Sequence, residues 1–217
     1  MTAWPKRNRP GEEARRLAKG DGGAKRRFVV ERRMATAPQT LLTVDEFLAR
    51  ADEREGKWEL HDGELVCMAP ERISHILTKT AAVNALAAAI RRAGAPCQAL
   101  PDGLGVRISS RSMYIPDALV YCGPRLTGDT LEVPDPVIVV EVLSPSTASR
   151  DRGDKLAGYF SLPSVMHYLL LSPTQRMVVH HKRGQGDLIE TRILREGTLR
   201  LDPPGIEVEA KDLFAEV

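Results

Sequence analysis

Aromatic residues are scarce in this chain of 217 residues: two Trp, four Tyr and four Phe make up 5% of it. The core must come mostly from Val, Leu, Ile and Ala, within an apolar fraction of 42% that is ordinary for a globular protein. Cysteine is scarcer still. Cys67, Cys97 and Cys122 lie far apart and are odd in number, and no CxxC or Cys/His spacing marks a zinc site. Three buried thiols in a reducing cytoplasm are the expectation. No apolar run approaches the roughly 18 residues of a membrane helix, and no apolar h-region opens the sequence. Neither a membrane span nor a secretory leader is expected. A phosphate-cradling glycine loop is also missing, because Gly103-Leu104-Gly105 lacks a following helix and a Lys-Ser pair.

The length suits one domain with a tail. The net charge of +2 conceals an asymmetry. Residues 1–36 hold 11 Lys or Arg against 4 Asp or Glu, a balance of +7, which leaves −5 on the other 181 residues. Residues 1–36 show no hydrophobic period and read as a disordered basic tail. Such a tail either touches nucleic acid, is simply solvated, or precedes a later translation start at Met34. Residues 37–217 read as the domain. Its acidic balance argues against simple tight binding to duplex DNA, which a basic face would favour.

Thr43 and Glu46 have capping-box spacing and Leu42 and Phe47 staple spacing, so a helix starts at Val44. Lys57–Met68 reads as a hairpin turning at Asp62-Gly63, with Trp58 and Leu60 on one face and Glu59 and His61 on the other. A long helix is expected from Ile73 to Arg92, its apolar stripe running through Ile76, Val83, Ala87 and Ile90, with Gly94 ending it. Strands follow at Gly103–Ile108, Tyr114–Tyr121 and Pro134–Leu143. The last contains Val137-Ile138-Val139-Val140-Glu141-Val142-Leu143, whose apolar continuity suggests burial on both faces. A helix from about Ser149 to Leu162, a strand at Val165–Leu171 and an antiparallel meander (Met177–His181, Leu188–Leu194, Leu199-Arg200) complete the order. The meander's turns fall at Gly184, Gly186, Gly197 and Pro203-Pro204-Gly205. The fold class is α/β or α+β.

Glu141 is the most informative residue. A carboxylate within an apolar strand costs several kcal/mol unless it is paired, protonated or metal-bound. The other reading is a strand end reaching solvent or an arginine. Asp117 poses the same question between Ile115-Pro116 and Ala118-Leu119-Val120. Two adjacent strands would bring these carboxylates close, and hard divalent cations seek such oxygens. Lys155, early in the following helix, would hold water or offset phosphoryl charge, or be merely solvated.

Leu60-His61-Asp62-Gly63-Glu64, Pro116-Asp117, Val140-Glu141-Val142-Leu143-Ser144-Pro145-Ser146-Thr147 and Asp151-Arg152-Gly153-Asp154-Lys155-Leu156 together resemble the Uma-type restriction endonuclease family. That family is a branch of the PD-(D/E)XK nuclease superfamily. The resemblance spans about residues 40–217. It implies a restriction-endonuclease-like core, a mixed twisted sheet flanked by helices with antiparallel C-terminal strands. It also implies Mg2+-dependent hydrolysis of DNA phosphodiesters, with Mn2+ as a substitute. In that likeness Asp117, Glu141 and the Val142 carbonyl hold the metal. Lys155 is the active-site lysine, moved from the strand to the next helix, because the usual position is Leu143 here. Glu59 matches an upstream acidic residue near the site.

His75 matches a position where the family often has histidine, or is simply a polar residue at a helix start. His180 and His181 are expected on the surface. Arg107, Arg111 and Arg125 either line a phosphate path or are solvated. Ser144, Ser146 and Thr147 are expected to cap the next helix. Two rivals stand beside the DNA nuclease: a binding or regulatory module of the same fold without turnover, and a nuclease acting on RNA or structured substrates. A homodimer would suit cleavage of both strands. Because residues before Met34 offer no apolar face, deleting them should leave the melting temperature nearly unchanged in a thermal unfolding scan. A loss of many degrees would make the tail part of the fold.

Overall fold

A computed structural model describes residues 41–143 and 151–215. The expected tail and the expected caps at Ser144, Ser146 and Thr147 lie outside these residues. The elements run α1 (Val44–Leu48), β1 (Trp58–His61), β2 (Glu64–Cys67), α2 (Ile73–Ala93), β3 (Gln98–Pro101), β4 (Val106–Arg107), β5 (Met113–Tyr114), β6 (Ala118–Tyr121) and β7 (Ile138–Val142). Then come α3 (Asp151–Ser161), β8 (His167–Ser172), β9 (Met177–Arg183), β10 (Ile189–Leu194), β11 (Thr198–Leu201) and β12 (Ile206–Glu209), with a short 3-10 turn at Ala210–Leu213.

A six-stranded mixed sheet forms the centre, in the order β10-β9-β8-β7-β6-β3. Its one parallel pairing joins β7 and β8 through α3, and the rest is antiparallel. Alternation along the strands feeds two cores. Ile138, Val140 and Val142 of β7 face α2 and the β11–β12 ribbon, with Leu86, Leu169 and Leu199. Val139 faces the other way, with Tyr159 of α3 and Tyr168 of β8. This confirms that the central strand is covered on both sides. A second sheet, β2-β1-β5-β4, carries a small core of Val44, Phe47, Leu60 and Met113.

Local signals set several elements as expected. The Thr43 hydroxyl accepts from the Glu46 N–H at 3.2 Å, and the Glu46 carboxylate accepts from the Thr43 N–H at 2.8 Å. The hairpin turns at Asp62 and Gly63, both with positive φ, the conformation of a two-residue primed turn. Gly63 is also crowded: a Cβ there would stand 2.8 Å from Leu41 Cβ. Gly94 closes α2 in the left-handed conformation.

Other expectations need correction. The buried row of α2 is Thr78, Lys79, Ala82, Leu86, Ala89 and Ile90, while Ile76 is 42% exposed. By length and composition α2 could cross a membrane, contrary to the expectation of no such stretch; here it packs on the central sheet. The strand expected at Gly103–Ile108 shrinks to two residues, and Tyr114–Tyr121 divides at Pro116-Asp117. Strands β3 and β12 were not expected. Cys97 and Cys122 form a disulfide and Cys67 is exposed, so the three cysteines are not buried thiols.

His180, expected on the surface, is buried. Its Nε2 lies 2.9 Å from Nδ1 of His167, whose own Nε2 lies 3.0 Å from the Pro203 carbonyl. That carbonyl can only accept, so His167 donates from Nε2 and receives at Nδ1 from His180. Burial, then the nearby positive charges, lowers both imidazoles to about 4. Their contribution to stability is complete above the ordinary value near 6.5 and is lost as pH falls toward 4. Nitrogen-15 NMR should show both rings as neutral Nε2–H tautomers at pH 6, protonating only near pH 4, with the urea midpoint falling over the same window. A titration near 6.5 would contradict the arrangement.

Candidate active site

Asp117 and Glu141 are brought together by strand pairing. Strands β6 and β7 are antiparallel with Ala118 opposite Val140, and continuing that register by one residue sets Asp117 across from Glu141. Pro116 cannot donate to a ladder, so the chain bends before β6. The Asp117 carboxylate turns onto the Val142 N–H, which donates to Oδ2 at 2.7 Å.

Glu141 shares the face of Val139, toward α3, and α3 answers with two side chains one turn apart. Lys155 Nζ lies 3.1 Å from Glu141 Oε1, and the Tyr159 hydroxyl donates to the same oxygen at 2.8 Å. Lys155 also reaches Glu59 Oε1 of β1 at 2.9 Å. That oxygen accepts from the Ile115 N–H at 2.8 Å, and His61 Nε2 lies 2.9 Å from the other oxygen. Glu59, Glu141 and Lys155 thus converge as anticipated, and Asp117 lies close enough to act on Glu141 electrostatically.

A second group on α2 approaches Asp117 from its other side. His75 and Lys79 are four residues apart on one face of α2, and Glu71 joins them from the segment just before the helix. His75 Nε2 lies 3.3 Å from Asp117 Oδ2 and Lys79 Nζ 3.4 Å from Oδ1. Lys79 also pairs with Glu71 and Asp102, each at 2.7 Å, and Asp102 pairs in turn with Lys57. A cleft of about 330 Å³ opens beside these residues. Tyr159, Lys79, Glu71 and Asp102 were missed in the sequence. The spacing of four was visible, but nothing local announced that Asp117 would meet it. His75 sits in the first turn of α2, and its ring there lies beside Asp117. Arg107 is bound to Asp45 and Glu132 at 2.8 and 3.0 Å, whereas Arg111 and Arg125 are both exposed surface residues.

The charges respond to this packing. Burial lifts Glu141 to about 7, against the pull of Lys155 and with the push of Asp117 and Glu59. Burial would lift Glu59 too, but the His61 hydrogen bond, the Lys155 charge and the Ile115 N–H hold it below the usual range. Lys79 is desolvated, yet its bonds to Asp102 and Glu71 keep it well above the ordinary lysine value. Burial and the Glu141 charge raise Tyr159, which therefore stays a donor.

Five carboxylates (Glu59, Glu71, Asp102, Asp117 and Glu141) face three lysines (Lys57, Lys79 and Lys155) here. With Glu141 ionised the balance is −2, the charge one divalent cation would neutralise. Glu141 Oε1 takes both hydrogen bonds from α3, and Oε2 has no hydrogen-bond partner among the described residues. This donor set, rich in carboxylate oxygen, fits a hard divalent ion.

A solved structure of a putative nuclease from Anabaena variabilis ATCC 29413 has this fold, with a TM-score of 0.62 at 17% identity over 80% of this chain and 97% of that one. The family model described as "Uma2: Putative restriction endonuclease" matches residues 44–212, and the chain belongs to that family. Two Synechocystis relatives, the uncharacterized proteins slr1290 and sll1609, are 30% and 26% identical. The matches span 79% and 75% of this chain and 90% and 93% of theirs.

Because Lys155 and the Tyr159 hydroxyl both favour the ionised Glu141, Tyr159→Phe and Lys155→Met should each raise its titration above about 7. Carboxyl carbon-13 NMR reads this directly. Raised in the fold, Glu141 supports stability fully below its ordinary 4.5 and loses that support as pH rises through about 7. A midpoint that falls in either variant would show that these partners do not act on the carboxylate.

Proposed function

We propose that the protein is a metal-dependent endonuclease that hydrolyses DNA phosphodiester bonds, with Mg2+ as its ion and Mn2+ as a substitute. The observation that carries the reading is the convergence of Asp117, Glu141, Glu59 and Lys155 from four separate segments on one half-buried spot. Asp117, Oε2 of Glu141 and the Val142 carbonyl would hold the ion. When bound, such an ion supplies Lewis-acid polarisation of a phosphoryl oxygen and acidifies water.

The remaining work falls to the chain. Lys155 keeps its ammonium beside Glu141, where it can orient an attacking water and offset charge growing on the phosphoryl oxygens. Glu59 anchors that ammonium from β1. Tyr159 fixes one Glu141 oxygen so that the other stays directed at the ion. The domain's acidic balance predicts salt-sensitive contacts to the phosphate backbone, so the assay belongs at low salt.

The full chain should nick or cut DNA with Mg2+ or Mn2+ and not in EDTA. Ca2+ should support binding but little cleavage, since its looser geometry positions water less well. Glu141→Gln and Asp117→Asn should abolish cleavage, the latter preserving an acceptor for the Val142 N–H. Lys155→Ala should slow turnover by about a hundredfold or more without lowering ion affinity. Ion affinity should weaken as pH falls below about 7, where Glu141 of the ion-free protein takes up a proton that competes with the ion. Absence of turnover in every ion, on duplex DNA, single-stranded DNA and RNA, would leave a binding module instead. Cleavage of RNA alone would move the substrate.

A further inference from the structure

The group at α2 offers something the strand carboxylates lack: a nitrogen ligand. One ligand atom each from Glu71, His75 and Asp117 lies within 4.8 Å of the others, a span over which three donors can close on one ion. We infer that Glu71, His75 and Asp117 form a cation position of their own, suited to a borderline ion of the Mn2+ or Co2+ class rather than to Ca2+. The inference rests on Asp117 facing an ion, as in the proposed function, but not on cleavage.

Three features support it. Glu71 lies just before the N-cap of α2 and is held toward the helix by its pairing with Lys79 at 2.7 Å, while His75 sits in the first turn, so both reach one place beside Asp117. The Asp117 oxygens are divided: Oδ1 is the one near Lys79, and Oδ2 the one near His75. Each carboxylate oxygen keeps a second lone pair, so neither the Lys79 pairing nor the Val142 N–H exhausts it. The 330 Å³ cleft lined by Glu71, Lys79, Asp102 and Asp117 gives solvent a route in. Imidazole favours Mn2+ and still more Co2+ over the hard alkaline-earth ions, whereas an all-carboxylate site would not.

The two positions share Asp117 but differ in their other ligands, which makes them separable by spectroscopy. Mn2+ is added to the full chain and pulsed EPR is used to detect nitrogen-14 modulation from a coordinated imidazole. The wild type should show it, and so should Glu141→Gln. His75→Gln should lose it and weaken Mn2+ binding by at least about tenfold, the least that losing even an outer-sphere partner commonly costs. Glu71→Gln, a change at the cleft rim, should weaken Mn2+ binding to a similar degree with the modulation retained, and it carries the test should His75→Gln fail to fold. Co2+ should bind more tightly than Mn2+ in the wild type. Mn2+ bound without nitrogen modulation, modulation that survives His75→Gln, or unchanged affinity in Glu71→Gln would each overturn the site. A chain that shows the modulation yet cleaves nothing would refute the nuclease and keep this position. Cleavage without modulation would do the reverse.

Discussion

The ammonium of Lys155, held between Glu59 and Glu141, is the interaction on which the arrangement depends. It joins residues 96 and 14 positions away in the chain. Through it the hairpin sheet, the central sheet and α3 meet at one charged atom. Both carboxylates are mostly buried, with side-chain exposures of 4% and 13%. Without a cation between them each would face the other's charge in a poorly solvated space. Removing one member of such a buried network commonly costs about 3–5 kcal/mol, because the rest is left uncompensated. Yet even with Lys155 in place Glu141 remains raised to about 7. The network is deliberately short of positive charge, in the sense that its own lysines do not finish neutralising it.

The same logic separates the two lysines. Lys79 lies among Glu71, Asp102 and Asp117 and is held above its ordinary range. It is a permanent charge whose partners already outnumber it, and its place is to keep Asp117 and its neighbours from repelling one another. Lys155 touches Glu141 directly, the carboxylate whose proton affinity lies near neutrality. Glu141 and Asp117 are therefore faced by different lysines from different helices.

What the sequence made legible was what is local or energetically conspicuous. The capping box, the Asp62-Gly63 turn and the apolar run of β7 are each set by neighbours in the chain. Glu141 and Asp117 stood out because burying a carboxylate is costly wherever it happens. The buried face of α2 did not stand out, because Thr78, Lys79 and small alanines form it while Ile76 points outward. Hydropathy reads a buried lysine as a surface one, and only Asp102 and Asp117 arriving from other segments make that burial tolerable. Strand β3 carries Gln98 and Pro101 and pairs only with β6 at the sheet edge, where a proline is permitted. The misplacing of His180 has the same origin: its partners are another histidine and a distant proline carbonyl.

Because Lys155 stands on a helix and not on a strand, its positioning rests on how α3 is seated. A lysine at the Leu143 position would be fixed by the sheet's own ladder, where the Leu143 N–H donates to the Leu171 carbonyl at 2.7 Å. Lys155 is only as well placed as α3. The scarce aromatics take up this task. Tyr159, one turn beyond Lys155, meets Tyr114 edge to face at 5.5 Å and Tyr168 at 5.3 Å between ring centroids. The Lys155 ammonium itself lies 5.7 Å from the Tyr114 ring centre. Three of the chain's four tyrosines thus pin α3 to β5 and β8 around Lys155. Aromatic pairs of this geometry contribute about 0.5–1.5 kcal/mol each beyond their buried area, and their rigid rings allow little sliding. The Tyr159 hydroxyl then ends on Glu141, so the residue that seats the helix also orients the carboxylate that the helix's lysine serves.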